Sequence, residues 1–131
     1  MKEVISSDKA PKTTGLPFSQ AIIHDSEYTM ELSGQVGIDP KTGKLVDGGI
    51  EAETEQTLNN IEGVLSEIGW GFENIVKARI FLADMKDYQK MNEIYSKKFT
   101  NNPPARVALA VKGLPVGALI EIECIAAGNK K

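Results

Sequence analysis

The chain has 131 residues, of which 41% are hydrophobic and 25% are charged, a composition typical of one globular domain spanning residues 1–131. Its formal net charge of −3 and its scattered lysines argue against nucleic-acid binding, because phosphate contacts require concentrated basic residues. One cysteine and one histidine exclude an internal disulfide and a zinc cluster, and no apolar run could serve as a signal peptide or cross a membrane. We therefore expect a cytoplasmic protein without a metal, cofactor or membrane partner.

The first third of the chain predicts short strands, beginning near Val4, at residues 19–24 and at residues 28–33. The last two flank a four-residue turn and are expected to pair. In residues 28–33, apolar and polar side chains alternate, which is the period of a half-buried strand. Residues 39–43 predict a turn, because proline presets φ at the second position and Gly43 accepts a positive φ.

The central part of the chain predicts two amphipathic helices separated by a strand. In residues 51–68, apolar side chains recur at alternating steps of four and three, and Gly69 is placed to end the helix. Residues 75–82 return to an apolar strand pattern. Asp84 is predicted to open the second helix, and the Asn-Pro-Pro sequence at residues 102–104 to stop it. The apolar stripe of this second helix consists of Tyr88, Met91, Tyr95 and Phe99.

The end of the chain predicts a strand pair, residues 106–112 and 118–126. The predicted order is thus β-β-β-α-β-α-β-β, an α+β fold with a single mixed or antiparallel sheet and both helices on one face. No helix remains to cover the opposite face. A homo-oligomer that buries this face between neighbouring copies is the simplest arrangement.

The predicted strand pair carries the most informative polar residues. Arg106 stands at the mouth of one strand beside the small Ala108 and Ala110, and Glu121 and Glu123 share a face of the other. An arginine can hold a carboxylate through two parallel hydrogen bonds, and small neighbours leave space for a ligand. The alternative is an ordinary Arg–Glu pair on a solvated surface.

Another candidate lies at the end of an earlier strand, in the sequence Ser33-Gly34-Gln35. Gly34 has no Cβ and therefore lets another backbone or a ligand approach closely. The alternative here is an ordinary turn at a strand end.

Short segments along the whole chain resemble the landmarks of one protein family. They are residues 17–21 (PFSQA), 33–37 (SGQVG), 39–43 (DPKTG), 57–61 (TLNNI), 91–95 (MNEIY), 104–106 (PAR) and 120–126 (IEIECIA). In order and composition they resemble the Rid superfamily of reactive intermediate deaminases, also called YjgF or endoribonuclease L-PSP proteins. Because the match extends over essentially the whole chain, chance is a poor explanation for it.

The resemblance implies a fold, an assembly and a reaction. The fold is chorismate-mutase-like, and the assembly is a homotrimer with a barrel-like sheet interior and three clefts between subunits. The reaction is the hydrolysis of a 2-imino acid, or of its enamine, to a 2-keto acid and ammonia. It requires no cofactor, because a protonated imine is already electrophilic and the site has mainly to orient water and neutralise the carboxylate.

The resemblance also assigns roles to residues of this chain. The catalytic residues are Arg106, which would clamp the substrate carboxylate, and Glu121, which would position the attacking water. The substrate-binding residues are Phe18, Ser33, Gly34, Asn92 and Ala108. Four positions depart from the family pattern: Phe18 replaces a common tyrosine, Val107-Ala108 replaces a frequent Ser-Cys pair, and Leu16 replaces a glycine.

These departures keep two other functions open. The loss of a hydroxyl at Phe18 fits a non-catalytic protein that binds a small carboxylate or a partner protein in the same cleft. Some relatives are described as ribonucleases or translation inhibitors. The acidic charge and the lack of a basic, aromatic-rich surface argue against that activity.

Overall fold

The computed structural model describes residues 2–131 and has two helices among eight strands. The strands are β1 (Lys2–Ile5), β2 (Ala21–His24), β3 (Tyr28–Gln35), β4 (Ile38–Asp39), β5 (Lys44–Leu45), β6 (Ile75–Leu82), β7 (Ala105–Ala110) and β8 (Ile120–Gly128). The helices are α1 (Gly49–Ser66) and α2 (Tyr88–Lys98). The predicted α+β class, with two helices and a mixed sheet, is confirmed.

The main sheet has four strands in the order β3-β8-β6-β7. β6 and β7 are parallel, and the other two pairs are antiparallel. Parallel neighbours need a long crossover connection, and α2 provides it between β6 and β7. β1–β2 and β4–β5 form two separate two-stranded ribbons.

Two predicted strand pairings are wrong. β2 pairs with β1 and not with β3. β7 and β8 do not pair either, because β6 lies between them. β6 is buried at nearly every second position and needs a neighbour on each side, whereas β7, with its small alanines, lies at the edge of the sheet.

The hydrophobic core fills the space between the two helices and one face of the sheet. Its fully buried side chains include Leu58, Ile61 and Leu65 of α1, Met91 and Tyr95 of α2, and Ile80, Leu82, Ile120 and Ile122 of the sheet. The predicted apolar stripe of α1 is therefore confirmed as its buried face. Each fully buried leucine or isoleucine side chain contributes roughly 1.5–3 kcal/mol to stability.

The other face of the sheet, called here the open face, is not covered by either helix in the described part of the chain. It carries Val107 and Leu109, which are 38% and 39% exposed, together with charged side chains. Arg79 on β6 and Glu123 on β8 form a salt bridge of 3.2 Å across this face. A cross-strand Arg–Glu pair therefore exists, but it does not involve Arg106.

Two local sequence signals have different outcomes. At residues 39–43 the turn is confirmed: Gly43 has φ +71°, and its amide donates to the Asp39 carbonyl oxygen at 2.8 Å. Asp84 instead caps a short 3-10 turn, where its carboxylate accepts a hydrogen bond of 2.8 Å from the Lys86 amide, and α2 begins only at Tyr88.

Within residues 2–131, neither α1 nor α2 combines the length and the apolar character that a membrane-spanning helix needs.

Candidate functional site

Arg106 lies on the edge strand β7 and points toward the helices. It pairs with Ala78, whose side chain is buried beneath them, and laterally paired residues point to the same face. The guanidinium reaches α2, where Nη1 donates to Asn92 Oδ1 at 2.7 Å. Nη2 donates to the hydroxyl oxygen of Tyr88 at 3.1 Å. Two side chains of one helix thus hold both terminal nitrogens of the guanidinium.

Three aromatic rings surround the same guanidinium. Its central carbon lies 4.8 Å from the ring centroid of Phe18, 5.0 Å from that of Tyr95 and 5.8 Å from that of Tyr88. Phe18 is brought there because the Ser19 amide donates to the Pro104 carbonyl oxygen at 3.1 Å, which lays this segment along the free edge of β7. Rings at these distances stabilise a cation without neutralising it.

Tyr95, beside Arg106, and Cys124, two strands away on β8, are both kept neutral. The Tyr95 hydroxyl oxygen is fully buried and has no hydrogen-bond partner within residues 2–131. Burial raises the pKa of this hydroxyl well above its ordinary value, and the positive charge of Arg106 offsets only part of the increase. Burial also raises the pKa of the Cys124 thiol to about 12. Neither group provides an anion for Arg106 at physiological pH.

Arg106 therefore carries a positive charge without a carboxylate partner among the described residues. Its acceptors are an amide oxygen and a phenol oxygen, and its other neighbours are rings. Beside it on the same side of β7 stands the small Ala108, which is partly buried and packs against the core. A half-buried guanidinium whose hydrogen-bond acceptors are all neutral is suited to bind an anion, and its planar fork fits a carboxylate.

Glu121 belongs to a different region, on the open face. It alternates along β8 with the buried Ile120 and Ile122, and so it points away from the helices. Its carboxylate lies over Gly34, where an added Cβ would stand 2.9 Å from the Glu121 carboxyl carbon. Ser33 and Gly34 lie within an irregular part of β3, between Leu32 and Gln35, where the register with β8 shifts. The group that approaches Gly34 is thus the Glu121 side chain, and not another backbone.

The structure divides the predicted site residues into two groups. Arg106, Asn92, Phe18 and Ala108 lie together at the helix side of β7, called here the arginine cluster. Ser33, Gly34 and Glu121 lie on the open face, called here the glutamate cluster. Along β6, Arg106 is level with Ala78 and Glu121 with Phe81, three residues further on. The interpretation that Arg106 and Glu121 face each other across neighbouring strands is wrong, because β6 separates β7 from β8.

Two residues of the arginine cluster were not predicted as site residues. Tyr88 and Tyr95 were assigned to the apolar stripe of α2, yet both lie at the guanidinium. For Tyr88 a signal was present in the sequence, because the hydroxyl of a tyrosine on an otherwise apolar stripe usually finds a polar partner, here Arg106. For Tyr95 that signal would have misled, because its buried hydroxyl has no hydrogen-bond partner within residues 2–131.

Comparisons with known proteins agree on one family. The family model described as Endoribonuclease L-PSP matches residues 7–128. The human 2-iminobutanoate/2-iminopropanoate deaminase is 45% identical over 126 residues, which cover 96% of this chain and 90% of the human protein. A protein of unknown function of the conserved Rid family from Yersinia pestis superposes with a TM-score of 0.88 at 26% identity, covering 96% of this chain and 98% of that one. The structure of TdcF from E. coli with bound serine superposes with a TM-score of 0.72 at 26% identity, covering 95% and 98% of the two chains.

Proposed function

This chain belongs to the endoribonuclease L-PSP family, also called the YjgF or Rid family, and from that premise we propose that it hydrolyses reactive 2-imino acids, and the enamines in equilibrium with them, to 2-keto acids and ammonia. The observation that carries this proposal is the unpaired guanidinium of Arg106. Every 2-imino acid bears a carboxylate. The guanidinium of Arg106 has only neutral hydrogen-bond acceptors among the described residues, so it is suited to bind that carboxylate. The activity named for the human relative, 45% identical to this chain, supports the same reaction.

The reaction needs little from the protein beyond orientation and one base. Water adds to the carbon of the protonated imine while Glu121 takes a proton from that water. Glu121 then gives this proton to the amino group. The C–N bond breaks and ammonia leaves, while the Glu121 carboxylate takes the proton of the remaining hydroxyl, so that the carbonyl of the 2-keto acid forms. Because the protonated imine is itself electrophilic, positioning and proton transfer are sufficient and no cofactor enters the scheme.

The proposal extends to a homotrimer. Within one subunit Arg106 and Glu121 point to opposite faces of the sheet, so a single cleft can contain both only if a second copy contributes one of them. The exposed Val107 and Leu109 on the open face favour contact with another copy. A barrel-like trimer built on that face would contain three such clefts, with Phe18, Ser33, Gly34, Asn92 and Ala108 around the substrate. Light scattering tests the assembly, since a trimer has three times the 14.2 kDa mass of the chain.

A coupled assay tests the reaction directly. A pyridoxal-phosphate-dependent amino-acid dehydratase releases a 2-imino acid, and the rate of its conversion to the 2-keto acid is measured with and without this protein. We expect catalytic amounts of the wild-type protein to shorten the lifetime of the imine. Hydrolysis at the uncatalysed rate would reject the enzymatic function.

A second candidate is a protein that binds a small carboxylate without turning it over. Phe18 favours it, because a phenyl ring at the guanidinium offers no hydroxyl to substrate or water. The serine in the E. coli TdcF structure shows that a relative at 26% identity binds an amino acid. Calorimetric binding of 2-ketobutanoate together with an unchanged imine lifetime would favour this candidate.

Ribonuclease activity, suggested by the description of the family, has weaker support. The net charge is −3, and the one arginine surrounded by rings lies in a half-buried cluster, not on a basic surface. We place the proposed reaction in the cytoplasm, where amino-acid metabolism generates imines and where a free thiol such as Cys124 stays reduced. RNA degradation that survives stringent purification and disappears in Arg106→Ala would support the ribonuclease instead.

A further inference from the structure

The Tyr88 hydroxyl occupies a specific place at the arginine cluster. Its oxygen accepts a hydrogen bond of 3.1 Å from Nη2 of Arg106, while Asn92 Oδ1 accepts one of 2.7 Å from Nη1. Because the cation repels the hydroxyl hydrogen, a lone pair of the Tyr88 oxygen faces the guanidinium. The two neutral acceptors come from positions 88 and 92, one turn apart on α2, so one rigid helix holds both ends of the guanidinium.

These two bonds determine which donors remain for a ligand. An arginine has five N–H groups, and the bonds to Asn92 and Tyr88 use one on each terminal nitrogen. One N–H on each terminal nitrogen and the Nε–H remain. The ring of Phe18 stands closer to the guanidinium carbon than that of Tyr88, 4.8 Å against 5.8 Å, but it has no polar atom to hold the plane. The orientation of the plane at Nη2 therefore depends on the Tyr88 hydroxyl.

We propose that Tyr88 is a positioning residue for Arg106, whose hydroxyl fixes the guanidinium plane so that the remaining N–H groups meet a carboxylate through two hydrogen bonds. This inference rests on the proposed function, because it assumes that Arg106 binds the substrate carboxylate. Without the hydroxyl, the guanidinium is held at one end only and can rotate about the Asn92 bond. The site would still attract an anion, but it would lose part of the prearranged geometry that two-point binding requires.

The test is Tyr88→Phe, which keeps the ring and its contact with the cation and removes only the hydroxyl. The probe is 2-ketobutanoate, with binding measured by calorimetry and turnover by the coupled imine assay. A hydrogen bond to a charged group changes an equilibrium roughly 10- to 100-fold, and water will replace part of it, so we expect Kd and KM to rise about 3- to 10-fold with kcat nearly unchanged. Tyr28→Phe, which removes a hydroxyl far from Arg106, is the matched control and should bind like the wild type.

A double-variant cycle separates positioning from simple packing. If Tyr88 acts through the guanidinium, Tyr88→Phe should have no further effect on binding in an Arg106→Lys background. An effect that persists undiminished in that background would overturn the proposal, as would wild-type Kd in Tyr88→Phe itself. Because Kd is measured without turnover, an inactive wild type would reject the proposed enzyme function and still leave the role of Tyr88 decided by binding.

Discussion

The arginine cluster and the glutamate cluster differ in how completely one chain builds them. Arg106 donates two hydrogen bonds to α2, lies within 6 Å of three ring centroids and stands beside the buried, neutral Tyr95. Glu121 rests over Gly34 on a face that no helix of the described chain covers, beside the exposed Arg79–Glu123 pair. The first cluster is organised within the subunit. The second is left on a surface of the subunit that the proposed trimer would enclose.

This difference suggests that the two clusters have separate roles in the proposed reaction: the arginine cluster binds the carboxylate, and the glutamate cluster activates water. Binding a carboxylate requires a desolvated, oriented cation, and a folded core provides that orientation at little cost on binding. Activating water requires a base near the imine carbon, on the far side of the substrate from Arg106. A cleft between subunits can place the two groups on opposite sides of a small molecule, which two residues on opposite faces of one sheet cannot do.

The largest expected effect concerns the glutamate cluster. Glu121→Gln keeps the shape of the side chain but removes the base, and so it should lower kcat by roughly 10²- to 10⁴-fold while 2-ketobutanoate still binds. The matched control is Glu123→Gln, which changes a neighbouring carboxylate on the same face and should retain kcat within a few-fold. Equal losses in both variants would show that the general charge of the open face, and not the position of Glu121, is what matters.

Mixing two inactive variants tests whether the clusters meet across subunits. Arg106→Ala and Glu121→Gln are unfolded together, refolded and assayed. If each cleft takes Arg106 from one copy and Glu121 from another, random assembly leaves about a quarter of the clefts intact, and about a quarter of wild-type activity should return. A mixture as inactive as its two components would show that the cleft does not combine the clusters in this way.

A smaller effect is expected at the arginine cluster. Arg106→Lys keeps the charge but loses the planar fork, so the Kd for 2-ketobutanoate should rise roughly 10- to 100-fold. The matched control is Arg79→Lys on the open face, where an exposed salt bridge contributes little and binding should not change. Full binding by Arg106→Lys would mean that a point charge is sufficient and that the held geometry has no role.

The smallest effect tests whether the core between α2 and the sheet, where Tyr95 and Cys124 are buried, excludes water. The pKa of Cys124 is raised from its ordinary 9.0 to about 12 by burial, so the folded state holds the proton more tightly than the unfolded state does. This contribution to stability is fully present below pH 9 and is lost as pH rises toward 12. The free energy of unfolding, measured in urea between pH 8 and 10, should fall, and Cys124→Ala should reduce the slope, with Tyr95 contributing the remainder. An identical slope in the variant would indicate that water reaches the thiol.

Much of the local structure could be predicted from the sequence because local rules determine it. The apolar stripe of α1 is buried as its spacing indicates, and the turn at residues 39–43 has the backbone that proline and glycine favour there. The alternation along β8 correctly places Glu121 and Glu123 on one face, because side-chain direction in a strand follows a period of two. The sequence predicts that Asp84 caps α2, whereas Asp84 caps a 3-10 turn that precedes α2. A capping residue does not indicate which kind of helical turn follows it.

The order of the strands and the set of residues around Arg106 could not be predicted from the sequence and are seen only in the folded protein. Alternation in β7 and β8 shows which residues share a face of one strand, but not that β6 lies between the two strands. Similarly, the stripe of α2 marks Tyr88 and Tyr95 as buried without showing that their rings meet Arg106, which lies 18 residues after Tyr88 in the chain. Local sequence patterns were enough to predict most of the elements and the faces of their side chains. Which strands pair depends on how apolar surfaces are buried together. That burial is nondirectional and brings together residues far apart in the sequence, so no local pattern encodes it.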